Sequence, residues 1–141
     1  MIRVFNAPRD LVFEAWTKPE LLKRWLNGPD GWRLAVCEID LKVGGAFRFE
    51  WHHRDGKSMG FTGAYREITR PGSLVFTENW FEDWTGGETL VTIAFDEQHG
   101  KTTMTQTVLY SSREARDAAL KAGMEHGAAV SYDRLAELLQ S

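Results

Sequence analysis

The sequence predicts an α+β domain: a curved antiparallel sheet of six to seven strands wrapped around a long C-terminal helix, with two short helices after the first strand. Three observations predict it. Apolar residues recur with period two from Trp32 to Tyr110, the period of a pleated strand. Short turn clusters interrupt that stretch, and connections so short join antiparallel neighbours. The segment after Ser112 has no proline and is rich in Ala, Leu, Glu, Lys and Arg, the composition of a helix. Strands do not alternate with helices, so a parallel nucleotide-binding sheet is not expected.

Taken in order, Ile2 to Phe5 reads as a short first strand. Asn6-Ala7-Pro8 starts a helix, because proline is tolerated in a first turn, and Leu11, Val12, Ala15 and Trp16 follow at helical spacing. Thr17-Lys18-Pro19-Glu20 has the form of a capping box for a second helix carrying Leu21, Leu22, Trp25 and Leu26. Strands are expected near 33–41, 45–53, 59–69, 73–81, 88–96 and 102–110. Gly44-Gly45, Arg54-Asp55-Gly56-Lys57, Arg70-Pro71-Gly72, Thr85-Gly86-Gly87 and Glu97-Gln98-His99-Gly100 supply the turns. Ser111-Ser112-Arg113-Glu114 offers a second capping box, and one unbroken helix is expected from there to about Leu139. Leu120, Met124, Gly127, Ser131, Leu135 and Leu138 would share its face.

A chain of 141 residues fits one domain, 1–141, and buries enough surface to need no staple. Six Trp and eight Phe point to an aromatic core or ligand site. The net charge of −3 comes without a basic stripe, so nucleic acid is not an expected partner. Cys37 is the lone cysteine, which excludes an intrachain disulfide and fits a reducing, cytoplasmic compartment. No stretch reaches the roughly 18 consecutive apolar residues of a membrane span.

The last helix is bulky at its end (Leu135, Leu138, Leu139) and small in its middle (Gly123, Gly127, Ala128, Ala129). A mid-helix glycine costs about 0.5–1 kcal/mol relative to alanine. Two on a face toward a sheet need a reason, either close backbone packing or room for a ligand. The facing strands offer apolar walls with a few polar groups, the usual make-up of a small-molecule pocket. Phe47, Phe49 and Trp51 share one face, as do Leu74, Phe76, Glu78 and Trp80, and Val91, Ile93 and Phe95. On the last strand the Met104 face, which includes Gln106, is expected inward because threonines occupy the other. Trp25 from the second helix and Met124 and Gly127 from the last complete the expected lining.

Zinc spacing, a nucleophile elbow, a phosphate loop and a dinucleotide fingerprint are all missing, so neither a metal nor a cofactor is expected. His52 and His53 are adjacent on a strand and point opposite ways, and Cys37 sits in an apolar strand. Glu78 and Glu50 are the acid/base candidates. A carboxyl beside Trp80 and Phe76 would have its pKa raised. The plainer reading is a partner for Arg48 or Arg66, or a solvated face.

Taken together, Arg3-Val4-Phe5-Asn6-Ala7-Pro8, Val12 to Glu20, Arg24-Trp25, Asp40 to Phe49, Gly63 to Ile68, Leu74 to Glu78 and the Gly127–Leu139 helix form a pattern. The sequence resembles the START-like superfamily (SRPBCC or Bet-v-like, the helix-grip fold), in the branch related to the C-terminal domain of the activator of heat-shock protein 90 ATPase. The resemblance covers nearly the whole chain. It implies a sheet gripping a C-terminal helix, often with an internal cavity. It implies no shared catalytic set, because the matching residues look structural. Members usually carry several more residues before the Arg-x-Phe-x-Ala-Pro stretch, so either a short first strand or a truncated start is expected here.

Three functions follow as alternatives. The first is binding of a small hydrophobic or aromatic molecule in the cavity. The second is a cyclase- or hydrolase-type enzyme using an inward carboxylate, Glu78. The third is a co-chaperone-like interaction module, with Trp32, Phe81 and Trp84 as an apolar patch and a protein partner or homodimer left open.

Overall fold

The structure, a computed structural model, describes residues 1–82, 87–121 and 123–140, with the backbone alone for residues 124–126. Seven strands and four helices are described. They are β1 (Ile2–Phe5), α1 (Arg9–Thr17), α2 (Pro19–Trp25), β2 (Trp32–Ile39), β3 (Ala46–His53), β4 (Ser58–Thr69), β5 (Ser73–Trp80), β6 (Thr89–Gln98), β7 (Lys101–Leu109), α3 (Arg113–Lys121) and α4 (Met124–Gln140). The sheet order is β1-β7-β6-β5-β4-β3-β2, antiparallel throughout. Six strands form one meander, and β1 crosses over to pair with β7 at the far edge.

The α+β prediction holds, with each strand within two residues of its expected bounds. Period-two alternation sorts the side chains onto two faces. The inner face carries Phe47, Phe49 and Trp51 of β3, Leu74 and Phe76 of β5, Val91, Ile93 and Phe95 of β6, and Met104 of β7, all buried. Helices α1, α2 and α4 cover this face through Val12, Phe13, Leu22, Trp25, Tyr132 and Leu135. The sheet bends where registers slip, between Leu34 and Val36 and between Tyr65 and Glu67. Next to the second slip the Ala64 amide donates to the Thr77 hydroxyl at 3.2 Å. A Cβ on Gly63 would run into the Thr77 carbonyl and the Phe47 ring, so only glycine lets the strands approach there.

Three local expectations are corrected. The long C-terminal helix is two helices, α3 and α4, parted at Gly123, whose φ of +83° lies in the left-handed region that ends helices. The break puts Leu120 off the shared face, and that side chain is 46% exposed while α3 buries Ala115 and Ala119. The first capping box is not made, because Thr17 is still inside α1 and its hydroxyl donates to the Phe13 carbonyl at 3.0 Å. Lys18 caps α2 with its backbone only, ahead of Pro19. The second cap slides by one residue: the Ala115 amide donates to Ser112 Oγ at 3.0 Å, so Ser112 caps α3.

Candidate ligand site on the inner sheet face

The registers lay the inner face out in rows across β5, β6 and β7. Leu74 lies opposite Ile93 and Phe76 opposite Val91, while Phe95 pairs with Met104. These side chains are sealed against α1, where Phe13 meets Phe95 edge-on at 6.0 Å. Further along β5 the closure loosens. Glu78 and Trp80 are half-buried, as are Val108 and Gln106 on β7. The helix α4 reaches this face at Tyr132, which bonds to Gln106. A Cβ on Gly127 would meet nothing within 4 Å, and Ala128 and Ala129 are also half-buried. Close backbone packing therefore does not explain Gly127. By contrast, Gly123 is explained by the turn.

One wall is aromatic. Trp51 stacks with Trp80 at 5.9 Å and 18°, and Phe61 meets Trp80 edge-on at 4.8 Å and stacks on Phe49 at 5.1 Å. Phe47 joins Phe49, Phe61 and Phe76 at 5.5–5.8 Å. The Trp51 indole N–H donates to the Leu26 carbonyl at 2.8 Å, which fixes the ring. A second group joins the helices, where Tyr132 of α4 lies 6.1 Å from Trp16 and 6.3 Å from Trp25.

Of the expected lining, Glu78, Trp80, Gln106 and Gly127 are half-buried, with Glu78 opposite Thr89 and Gln106 opposite Ile93, while Phe47, Phe49, Trp51 and Phe76 are buried aromatics of the inner face. Trp25 and Met104 are 0% exposed and belong to the packed core. The Trp25 indole N–H is spent on the Ala15 carbonyl at 2.9 Å. The Met124 side chain lies outside the described residues.

Glu78 points inward. Burial alone raises its carboxyl to a pKa of about 7, with no hydrogen bond or charge acting on it. The residue nonetheless keeps accessible surface. A carboxyl raised by desolvation sits in an apolar, water-poor setting. Across the strand pair, Thr89 is 2% exposed and its hydroxyl has no hydrogen-bond partner. Tyr132 Oη donates to Gln106 Oε1 at 2.6 Å, tying α4 to β7. Burial, and then the Glu78 charge, push the Tyr132 phenol well above its ordinary range.

The other candidates resolve differently. Glu50 is on the outer face, where Arg48 Nη2 and His52 Nε2 each donate to it at 3.2 Å. Its carboxyl is held below the usual range, by the His52 hydrogen bond first and by Arg48 as well, so it is no acid/base candidate. His53 turns away from His52 to Asp55 at 2.9 Å, and no metal-binding cluster occurs among the described residues. Burial pushes the Cys37 thiol up to about 11, which makes it a poor nucleophile.

Two of the three residues of the expected interaction patch are placed by the structure. Phe81, 48% exposed, lies under the Arg48 guanidinium on the outer face. Trp32 packs edge-on to His53 at 5.0 Å and borders a surface groove of about 710 Å³ beside Arg134. Trp84 lies outside the described residues.

Sequence reasoning missed Thr89, Phe61 and Tyr132. The signals were present: Thr89 precedes Val91, Ile93 and Phe95 at the same period, and Tyr132 lies three residues before Leu135.

An open antiparallel sheet closed on one face by a C-terminal helix defines a helix-grip protein. The chain belongs to the family described as Activator of Hsp90 ATPase homolog 1-like protein, which matches residues 6–140. No match appears among curated proteins. A Rhodobacter sphaeroides protein of known crystal structure is 33% identical, with a TM-score of 0.92 over 99% of this chain and 89% of that one. A Nitrosomonas europaea protein is 24% identical, with a TM-score of 0.86 over 99% and 92% of the two chains. An Arthrobacter aurescens protein is 23% identical, with a TM-score of 0.87 over 99% and 83%. The last two show the shared fold. No helix among the described residues is long and apolar enough to cross a membrane.

Proposed function

We propose that the protein binds a small hydrophobic or aromatic molecule between the sheet and α4. The observation that carries this reading is the gradient along the inner face, from fully sealed at Ile93 and Phe95 to half-buried at Glu78 and Trp80, together with the open space at Gly127 of α4. Apolar walls with few polar groups suit such a ligand. The superfamily's frequent use of the same space supports it. Titration with the fluorescent dye N-phenyl-1-naphthylamine tests the reading. Saturable uptake by the native chain, lost in Gly127→Phe with the fold intact, is the expected result. Dye that never binds, or that binds Gly127→Phe equally well, would sink it.

A second reading is an enzyme that moves a proton through Glu78. It is favoured by an inward carboxyl whose burial raises its pKa to about 7. Turnover surviving Glu78→Gln would remove it.

A further inference from the structure

We propose that the molecule held in this space carries an organic ammonium head that docks between Glu78 and Thr89 beside the Trp80 ring. This rests on the ligand-binding reading above and adds the chemical class of the ligand. Glu78 and Thr89 lie directly opposite in the β5–β6 register, both on the inner face. Side chains so placed have Cβ atoms about 4.5–5.5 Å apart, close enough to share one small polar group.

Neither group has a partner among the described residues. No cation or donor acts on the Glu78 carboxyl, and Thr89 Oγ1 is buried without a hydrogen bond. Buried polar groups are nearly always partnered, and a carboxylate left alone in an apolar setting is costly. Two unpartnered groups side by side therefore mark a place that something else fills.

The chemistry of the pair selects what fits. The carboxylate only accepts and the Thr89 hydroxyl both accepts and donates, so a donor is the group that can serve both oxygens. An anionic head would be repelled by Glu78. A wholly apolar ligand would leave both groups unsatisfied. A metal ion would need further ligands, and no cluster of His, Cys, Asp or Glu supplies them among the described residues. An ammonium group offers three donors, one for each oxygen and one for the cavity. Trp80, two residues along the same face and backed by Trp51, adds a ring beside it. A carboxylate with an indole face holds organic cations by charge and by the ring quadrupole.

Three naphthalene probes test this at pH 8, above the carboxyl's pKa of about 7. 2-Naphthylmethylamine, 2-naphthylmethanol and 2-naphthoate share a body and differ in their heads. Each is titrated against bound N-phenyl-1-naphthylamine. The amine should compete about tenfold more tightly than the alcohol, and the naphthoate least well. Glu78→Gln should bring amine and alcohol within about threefold of each other, each measured against that variant's own dye affinity. Thr89→Val should weaken the amine severalfold more than the alcohol. If Glu78→Gln does not fold, the native ranking and the Thr89→Val arm decide. Dye uptake with no preference for the amine overturns the ammonium proposal and leaves the cavity standing. An amine preference that survives Glu78→Gln overturns it as well. Absence of dye uptake overturns the cavity reading itself.

Discussion

Glu78 makes a stability statement as well as a binding one. Its native pKa of about 7 lies above its ordinary value of 4.5. Below pH 4.5 the carboxyl is protonated in both folded and unfolded chains and has no effect. As pH rises from there, the unfolded chain releases its proton and the native chain does not. Native stability therefore falls until about pH 7 and stays lower above it. The loss at pH 8 is roughly 2–3 kcal/mol. Glu78→Gln removes the penalty and should raise the urea midpoint at pH 8 while changing it little at pH 4.5. Equal gains at both values would show that the carboxyl is not desolvated. Cys37 gives a second residue-scale expectation. Burial first, and Glu20 more weakly, raise its thiol to about 11 against the lowering influence of Lys23. Alkylation of the folded chain by iodoacetamide at pH 8 should be roughly 10–100-fold slower than that of free cysteine. A rate like that of the free thiol would mean the strand opens readily.

The two glycines of the C-terminal region separate by the same kind of argument at the scale of elements. Gly123 sits at a positive φ between α3 and α4, so Gly123→Ala should destabilise the fold by about 1 kcal/mol. Gly127 sits inside α4 with open space around its would-be Cβ, so Gly127→Ala should stabilise by about 0.5–1 kcal/mol. Opposite signs in urea titration are the expected outcome, and destabilisation by both would place a close neighbour at Gly127. This pair also shows what the sequence could carry. Composition signalled a helix from Arg113 onward, but a glycine that ends a helix and one that rides within it look alike until φ is known. Strands were legible because alternation and turn residues are local, and so was the inward placing of Glu78 and Gln106. Depth was not legible. Period two put Met104 on the right face but could not say that the core closes over it, since closure depends on where Phe13 and Phe95 meet. Ser111-Ser112 offered two hydroxyls for one cap, and geometry chose the second.

For the molecule as a whole, the proposed reading divides the work between sealed rows that hold the fold and a space that takes the ligand. Tyr132 and Leu135 pin α4 over the sealed rows, Tyr132 through its bond to Gln106 and Leu135 by complete burial. The ion pair between Arg3 and Asp133 ties the same stretch of helix to the edge strand β1. At Gly127, in the first half of α4, a side chain would meet open space. A ligand filling that gap would supply the apolar contacts and the donor that the sheet lacks there, and it would bind the native chain alone. Stability should then rise with ligand concentration, by about 2.7 kcal/mol at a hundred times Kd. For a chain of 141 residues that corresponds to roughly 7–12 °C in Tm. The shift should be smaller in Gly127→Phe, whose added ring occupies the gap, although that variant's own unliganded Tm stays close to the native value. Scanning calorimetry with 2-naphthylmethylamine at increasing concentration checks both. A Tm that ignores the amine in the native chain, or rises equally in Gly127→Phe, would place the binding elsewhere than under α4.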